Sequence, residues 1–151
     1  NKPKGVGLSA VQVGKLWRIF VTYLPRPKPV IRVFINPAIV SASSKLTLGP
    51  DLKKPILEGC LSIPRIYGPV WRHQWVKIKY LTFPTGPGPV GLRGLALTKT
   101  AKFSAFPARV IQHEMDHLNG ILFTDRSLAA KLPLYEEVNN ELHPINLDTP
   151  R

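Results

Sequence analysis

The chain has 151 residues and a net charge of +12, from 21 Lys and Arg against nine Asp and Glu. Hydrophobic residues make up 44%, a globular composition with enough length for one domain with its own core. A single cysteine excludes an intrachain disulfide scaffold, and no run approaches the roughly 18 apolar residues of a membrane-spanning helix.

The basic residues are spread along the chain. They read as a generally basic surface that favours encounter with polyanions such as RNA or an anionic membrane surface, ahead of a dedicated nucleic-acid site, and no sequence-specific one is expected. The chain begins at Asn1 with no apolar signal segment, so a preceding segment is expected.

In chain order, Gly5 to Gly14 comes first. Gly5 and Gly7 permit close backbone approach. The segment is not a dinucleotide fingerprint, because Ala10 stands where the third glycine belongs and no strand precedes it. Gln12 is the only long polar side chain there, and its amide N–H suits a developing oxyanion. Trp17–Tyr23 and Val30–Ile35 are rich in β-branched and aromatic residues and read as strands. Pro25, Pro27 and Pro29 make the link between them stiff and extended. Asn36-Pro37 reads as the end of the second strand, with Ala38–Val40 a separate short one and 41–55 a loop.

Glu58-Gly59-Cys60-Leu61-Ser62-Ile63-Pro64 follows. Gly59 removes bulk beside the one cysteine, and Pro64 suits a strand end. A free cysteine is commonly a small core residue, and it is a metal ligand when a cation stabilises its thiolate. Trp75–Leu81 alternates Val76, Ile78 and Tyr80 with Lys77 and Lys79, a half-exposed strand. A Pro/Gly turn at 84–88 and a hairpin return over 90–101 come next.

The chemistry concentrates in His113-Glu114-Met115-Asp116-His117, an H-E-x-x-H spacing. On a helix the two imidazoles lie on one face and converge on one metal ion, with Glu114 placed to act on a water. Ser104 is a candidate N-cap, Pro107 falls in the first turn, and Gly120 stands at a left-handed stop. Phe106, Val110, His113 and His117 form one inward stripe. A catalytic site of this kind needs a third ligand. The metzincin extension fails because Phe123 occupies the third histidine's position. That leaves Glu136, Glu137 or Glu141 downstream, or Cys60. Leu122-Phe123 and Asp125-Arg126 lead out of this helix, and 134–142 reads as a short terminal helix. With no internal repeat or linker, the order of strands and one helix predicts an α+β fold.

Three collinear segments resemble the motifs of peptide deformylases: Gly5-Val6-Gly7-Leu8-Ser9-Ala10-Val11-Gln12, Glu58-Gly59-Cys60-Leu61-Ser62, and Gln112-His113-Glu114-Met115-Asp116-His117-Leu118. The resemblance spans roughly residues 5–126. It implies a single catalytic domain over 1–151, with antiparallel sheets around a central metal-binding helix. It implies metal ligands at Cys60, His113 and His117 and a fourth position for water. Glu114 would be general base and then acid, with Gln12 and the Leu61 backbone N–H as oxyanion donors. Val6, Phe106 and Val110 would line a methionine pocket, and Gly7 and Gly59 would hold the peptide backbone. Fe²⁺ would be the functional ion, with Zn²⁺ or another divalent metal as substitute.

The implied substrate is the N-formyl group of nascent formylmethionyl peptides, with the ribosome as partner, no membrane, and a reducing intracellular compartment, either bacterial cytoplasm or an organelle. A zinc peptidase and a non-catalytic ribosome-bound module are the competing expectations. Three departures from the family pattern stand out: its usual N-terminal helix has no counterpart here, Ser9 replaces an alanine, and Pro-rich segments occupy 25–29 and 84–89.

Overall fold

The computed structural model describes residues 5–24, 30–83 and 96–145. The elements are β1 (Gly7–Ser9), a 3-10 turn (Ala10–Val13), β2 (Ile19–Tyr23), β3 (Ile31–Ala42), β4 (Leu46–Thr47), β5 (Leu57–Cys60), β6 (Ile63–Pro69), β7 (Arg72–His73), β8 (Trp75–Thr82), β9 (Leu97–Ser104), α1 (Ala105–Leu118), α2 (Phe123–Ala129), β10 (Tyr135–Val138) and β11 (Glu141–Pro144). A five-stranded sheet runs β1-β2-β3-β8-β9, a four-stranded sheet β11-β10-β6-β5, and β4 pairs with β7. Every strand pairing is antiparallel.

The alternation read in β8 holds. Val76, Ile78 and Tyr80 are buried while Lys77 and Lys79 are exposed. That buried face joins Phe20 of β2, Phe34 of β3 and Phe103 of β9 against Ala108, Ile111 and Met115 of α1 to form the main core. Full burial of each Val, Ile, Phe or Met side chain among these contributes roughly 1.5–3 kcal/mol. A second cluster joins Val70, Phe123 of α2 and Leu134. Arg109, His113, Asp116 and His117 of α1 bond instead to residues of β5 and β7 and their flanks, so the helix is tied to a sheet on one side and to the polar site on the other.

Helix α1 begins and ends where expected. Ser104 has extended N-cap geometry, although its hydroxyl makes no cap bond, and Gly120 takes φ 71°.

Four local expectations change. β3 is one strand rather than two. Asn36 takes φ 48°, and a register shift between Ile35 and Ala38 forms a bulge that accommodates Pro37 without a ladder N–H. The 41–55 stretch is not all loop, since Ser41 and Ala42 continue β3 and Leu46–Thr47 pairs with Arg72–His73. Residues 123–129 form α2, with the Leu122 N–H donating to Asp125 at 2.9 Å.

The expected helix over 134–142 is a hairpin. Asn139 and Asn140 take φ 53° and 64°, the left-handed pair of a tight two-residue turn, and Tyr135 and Glu136 pair with β6. The expectations on 25–29, 84–88 and 90–95 lie outside the described residues. From Leu97 onward the expected hairpin return is β9, paired with β8 throughout.

Candidate metal centre and cleft

Cys60 ends β5, where a register shift after Gly59 turns the chain toward β6. His113 and His117 stand one helical turn apart on α1, so both rings face it. Their ligand atoms and the Cys60 sulfur all lie within 4.8 Å of one another. Nε2 of His113 is 3.1 Å from Nε2 of His117, and the latter is 3.2 Å from Cys60 Sγ.

A tetrahedral ion with bonds of about 2.0–2.1 Å to nitrogen holds two imidazole nitrogens about 3.3 Å apart, so the spacing fits one ion. Burial pushes the Cys60 thiol up, but hydrogen bonds from His113, His117 and the Ser62 N–H outweigh it and bring the thiol down to about 5. Cys60 is therefore a thiolate at neutral pH, the form that ligates metals. Burial lowers His113, but its bonds to Cys60 and Glu58 raise it to about 9, and a bound cation would displace that proton. Two imidazoles and a thiolate form a donor set that takes Zn²⁺ or Fe²⁺.

Glu58 orients the first histidine. Its carboxylate accepts from Nδ1 of His113 at 3.0 Å, which leaves Nε2 to face the cluster. Two arginines hold Glu58 in turn: Arg72 in bidentate fashion at 2.9 and 2.7 Å, and Arg109 at 2.8 Å. Burial alone would raise the Glu58 pKa, but Arg72 and His113 hold it down at about 2. Arg72 also bridges to Asp116, which pairs with Arg126 of α2. Sequence reading did not identify Arg72, Arg109, Asp116 or Arg126 as parts of the site.

Glu114 is buried, and burial raises its pKa against the opposing hydrogen bond from Ser9. Gln12 lies in the 3-10 turn after β1. Its Oε1 accepts from the Ser9 N–H at 2.8 Å, which aims its Nε2 donors at Cys60 Sγ, 3.4 Å, and Ser62 Oγ, 3.0 Å. A pocket of about 780 Å³ opens here. Val6, Gly7, Gly59, Phe106 and Val110 line it, and so do Gln12, Leu61, Cys60, His113 and Glu114. A Cβ on Gly7 would meet Glu114 Cδ at 2.7 Å, and one on Gly59 would meet the Tyr67 ring at 2.8 Å. Both glycines keep side chains out of the cleft wall.

Among the described residues, no downstream carboxylate joins the ligand cluster, although Glu137 lines the same pocket. Glu137 accepts from Tyr67 Oη at 2.8 Å, Glu136 stands 3.7 Å from Arg65, and Glu141 is exposed near His143. Phe123, at the failed third-histidine position, stacks on the His113 ring with centroids 6.2 Å apart.

The family model described as polypeptide deformylase matches residues 1–132. The peptide deformylase of Caulobacter sp. (strain K31) is 42% identical over 123 residues, which are 80% of this chain and 61% of the relative. That of Treponema pallidum (strain Nichols) is 42% identical over 122 residues, 81% of this chain and 62% of the relative. The chain thus spans about three-fifths of the length of these curated relatives. Among solved structures, the Met-Ala-Ser-bound class I type b peptide deformylase from Acinetobacter baumannii is 39% identical, with a TM-score of 0.63 over 81% of this chain and 70% of that one. Arabidopsis thaliana peptide deformylase 1B, solved with an inhibitor, is 38% identical, with a TM-score of 0.61 over 81% and 59%.

Proposed function

Because this chain belongs to the polypeptide deformylase family, we propose that it hydrolyses the N-formyl group from the initiator methionine of nascent polypeptides, releasing formate, and that residues 1–151 act as one catalytic domain built around the metal-binding helix α1. The observation that carries this reading is the convergence of Cys60, His113 and His117 in a cleft that Glu114 and Gln12 also line.

Cys60, His113 and His117 would hold a divalent cation. When bound, the cation supplies Lewis acidity, polarising a carbonyl and making water a nucleophile at neutral pH. Glu114 accepts the proton of the attacking water and passes it to the leaving amine; a carboxylate with a raised pKa suits both steps. Gln12 Nε2, already aimed at the cluster, donates to the oxygen that becomes negative, and the Leu61 N–H is its partner donor. Val6, Phe106 and Val110 form the apolar wall for the methionine side chain, while Gly7 and Gly59 let the peptide backbone approach.

Cys60, His113 and His117 would take either Fe²⁺ or Zn²⁺, and Fe²⁺ would be the efficient ion. Zn²⁺ or another divalent ion substitutes with lower turnover. A reducing compartment, bacterial cytoplasm or organelle interior, keeps Cys60 a ligand. The basic surface suits work beside the ribosome.

Cys60→Ala tests the reading against a peptidase that uses a downstream glutamate. We expect it to abolish stoichiometric metal binding and formate release from a formylated tripeptide, while Glu137→Ala keeps both. Retained metal and activity in Cys60→Ala would overturn the assignment.

A further inference from the structure

The five-stranded sheet turns one face to α1, and its other face carries a cluster of cations. Residues directly opposite on neighbouring strands share a face. Lys77 of β8 stands opposite Lys102 of β9 and Ser41 of β3, and Lys79 stands opposite Thr100 and Ala38. All of these side chains are exposed, as is Lys99 on the same edge strand. The five strands of this sheet contain no Asp or Glu, although the chain has nine. Among the described residues, none of the four lysines makes an ion pair.

Lysines on an edge strand discourage stray strand pairing. That accounts for Lys99 and Lys102 on β9. It does not account for Lys77 and Lys79, because β8 is internal, between β3 and β9. Like charges directly opposite destabilise a sheet. The fold relieves this only in part, by laying Lys102 Nζ over the Trp75 ring at 4.2 Å. An anion on this face would offset the remainder.

We propose that the Lys77–Lys79–Lys102 face binds the phosphodiester backbone of RNA without sequence preference. Lys77 and Lys79 are about 6.8 Å apart along the strand, and Lys77 and Lys102 about 5 Å across it. Ser41 and Thr100 supply hydroxyls between them, and lysines with hydroxyls are the usual partners of phosphate oxygens. A lipid surface would call for exposed large apolar side chains interleaved with the lysines; on this face Trp75 is overlaid by Lys102, Leu81 is only partly exposed, and the directly opposed neighbours are Ser41, Ala38 and Thr100. The choice of RNA over another polyanion rests on the proposed action on nascent chains, which emerge from an RNA-rich particle.

The test is anisotropy of labelled single-stranded oligouridylate with metal-loaded protein over a salt series. A sheet-face variant, K77Q/K79Q/K102Q, is compared with a charge-matched control, K53Q/K54Q/K131Q. Three lost phosphate contacts should flatten the log–log salt slope by about 2 and weaken binding at low salt at least about tenfold in the sheet-face variant. The control should lose much less, and both variants should release formate from a formylated tripeptide like the unsubstituted protein. Equal losses in the two variants would overturn the proposal, as would no loss in the sheet-face variant or binding to phosphatidylserine vesicles without binding to RNA. Absence of formate release from every form would contradict the deformylase reading and leave the RNA comparison intact.

Discussion

Ser9 donates its hydroxyl to the Glu114 carboxylate, Oγ to Oε2 at 2.6 Å, and also sits 3.1 Å from the Glu114 carbonyl oxygen. Both residues are buried, where a hydrogen bond to a carboxylate is stronger than in water. By resemblance, Ser9 stands where the family has alanine, and from sequence the exchange looks mild. In the structure it gives the proposed general base a fixed partner. Ser9→Ala should lower kcat about tenfold, the effect of one charge-assisted hydrogen bond, with metal content unchanged. Glu114→Ala should keep the metal and lower kcat by at least about 10²–10⁴, the range for a lost acid–base group. Steady-state kinetics with metal analysis checks both, and substantial activity in Glu114→Ala would remove it from the mechanism.

Gly7→Ala tests the cleft wall. The added methyl would meet Glu114 Cγ at 2.9 Å and Cδ at 2.7 Å, and Glu114 is too buried to swing away freely. We expect a folded, metal-binding protein whose turnover falls by at least about tenfold. A variant with full kcat would show that the Glu114 carboxylate need not sit where the structure places it.

The network behind His113 separates metal affinity from stability. Glu58→Gln removes the charge that orients Nδ1 of His113, and metal affinity measured by chelator competition should fall by about 10–100-fold. Arg72→Met leaves two buried carboxylates, Glu58 and Asp116, short of a partner. Urea denaturation should register a loss of about 3–5 kcal/mol, the range for breaking a buried ion pair from one side. An Arg72→Met protein as stable as the original would mean that Arg109 and Arg126 suffice.

Gln12→Ala should lower kcat by about 10²–10³ with a smaller change in KM, because the donor acts on charge that develops during reaction. A change confined to KM would make Gln12 a ground-state contact.

Helix α1 was readable because its signals are local, with Ser104 and Pro107 at its start and Gly120 past its end, but the expected inward stripe faces the cleft and Phe106 is exposed there. The ligand role of Cys60 was not local. Alone it passes for a core residue, and only collinearity with the other two motifs pointed to His113 and His117. The buried charges were opaque for the same reason, since Glu58 and Arg109 are 51 positions apart and each looks like a surface charge in its own segment. The C-terminal hairpin was misread because Leu134, Val138 and Leu142 recur at a helical spacing. The left-handed pair Asn139-Asn140 and the pairing of β10 with β6 overrode that period. Pro37 misled in the opposite direction, because a bulge carries β3 past it.

The most direct measurement is product analysis of formyl-Met-Ala-Ser after incubation with Fe²⁺-loaded protein under argon. The account predicts stoichiometric formate and intact Met-Ala-Ser, faster than with the Zn²⁺ form of the same preparation. A metal-loaded protein that cleaves a peptide bond of the substrate, or leaves it formylated, would contradict it.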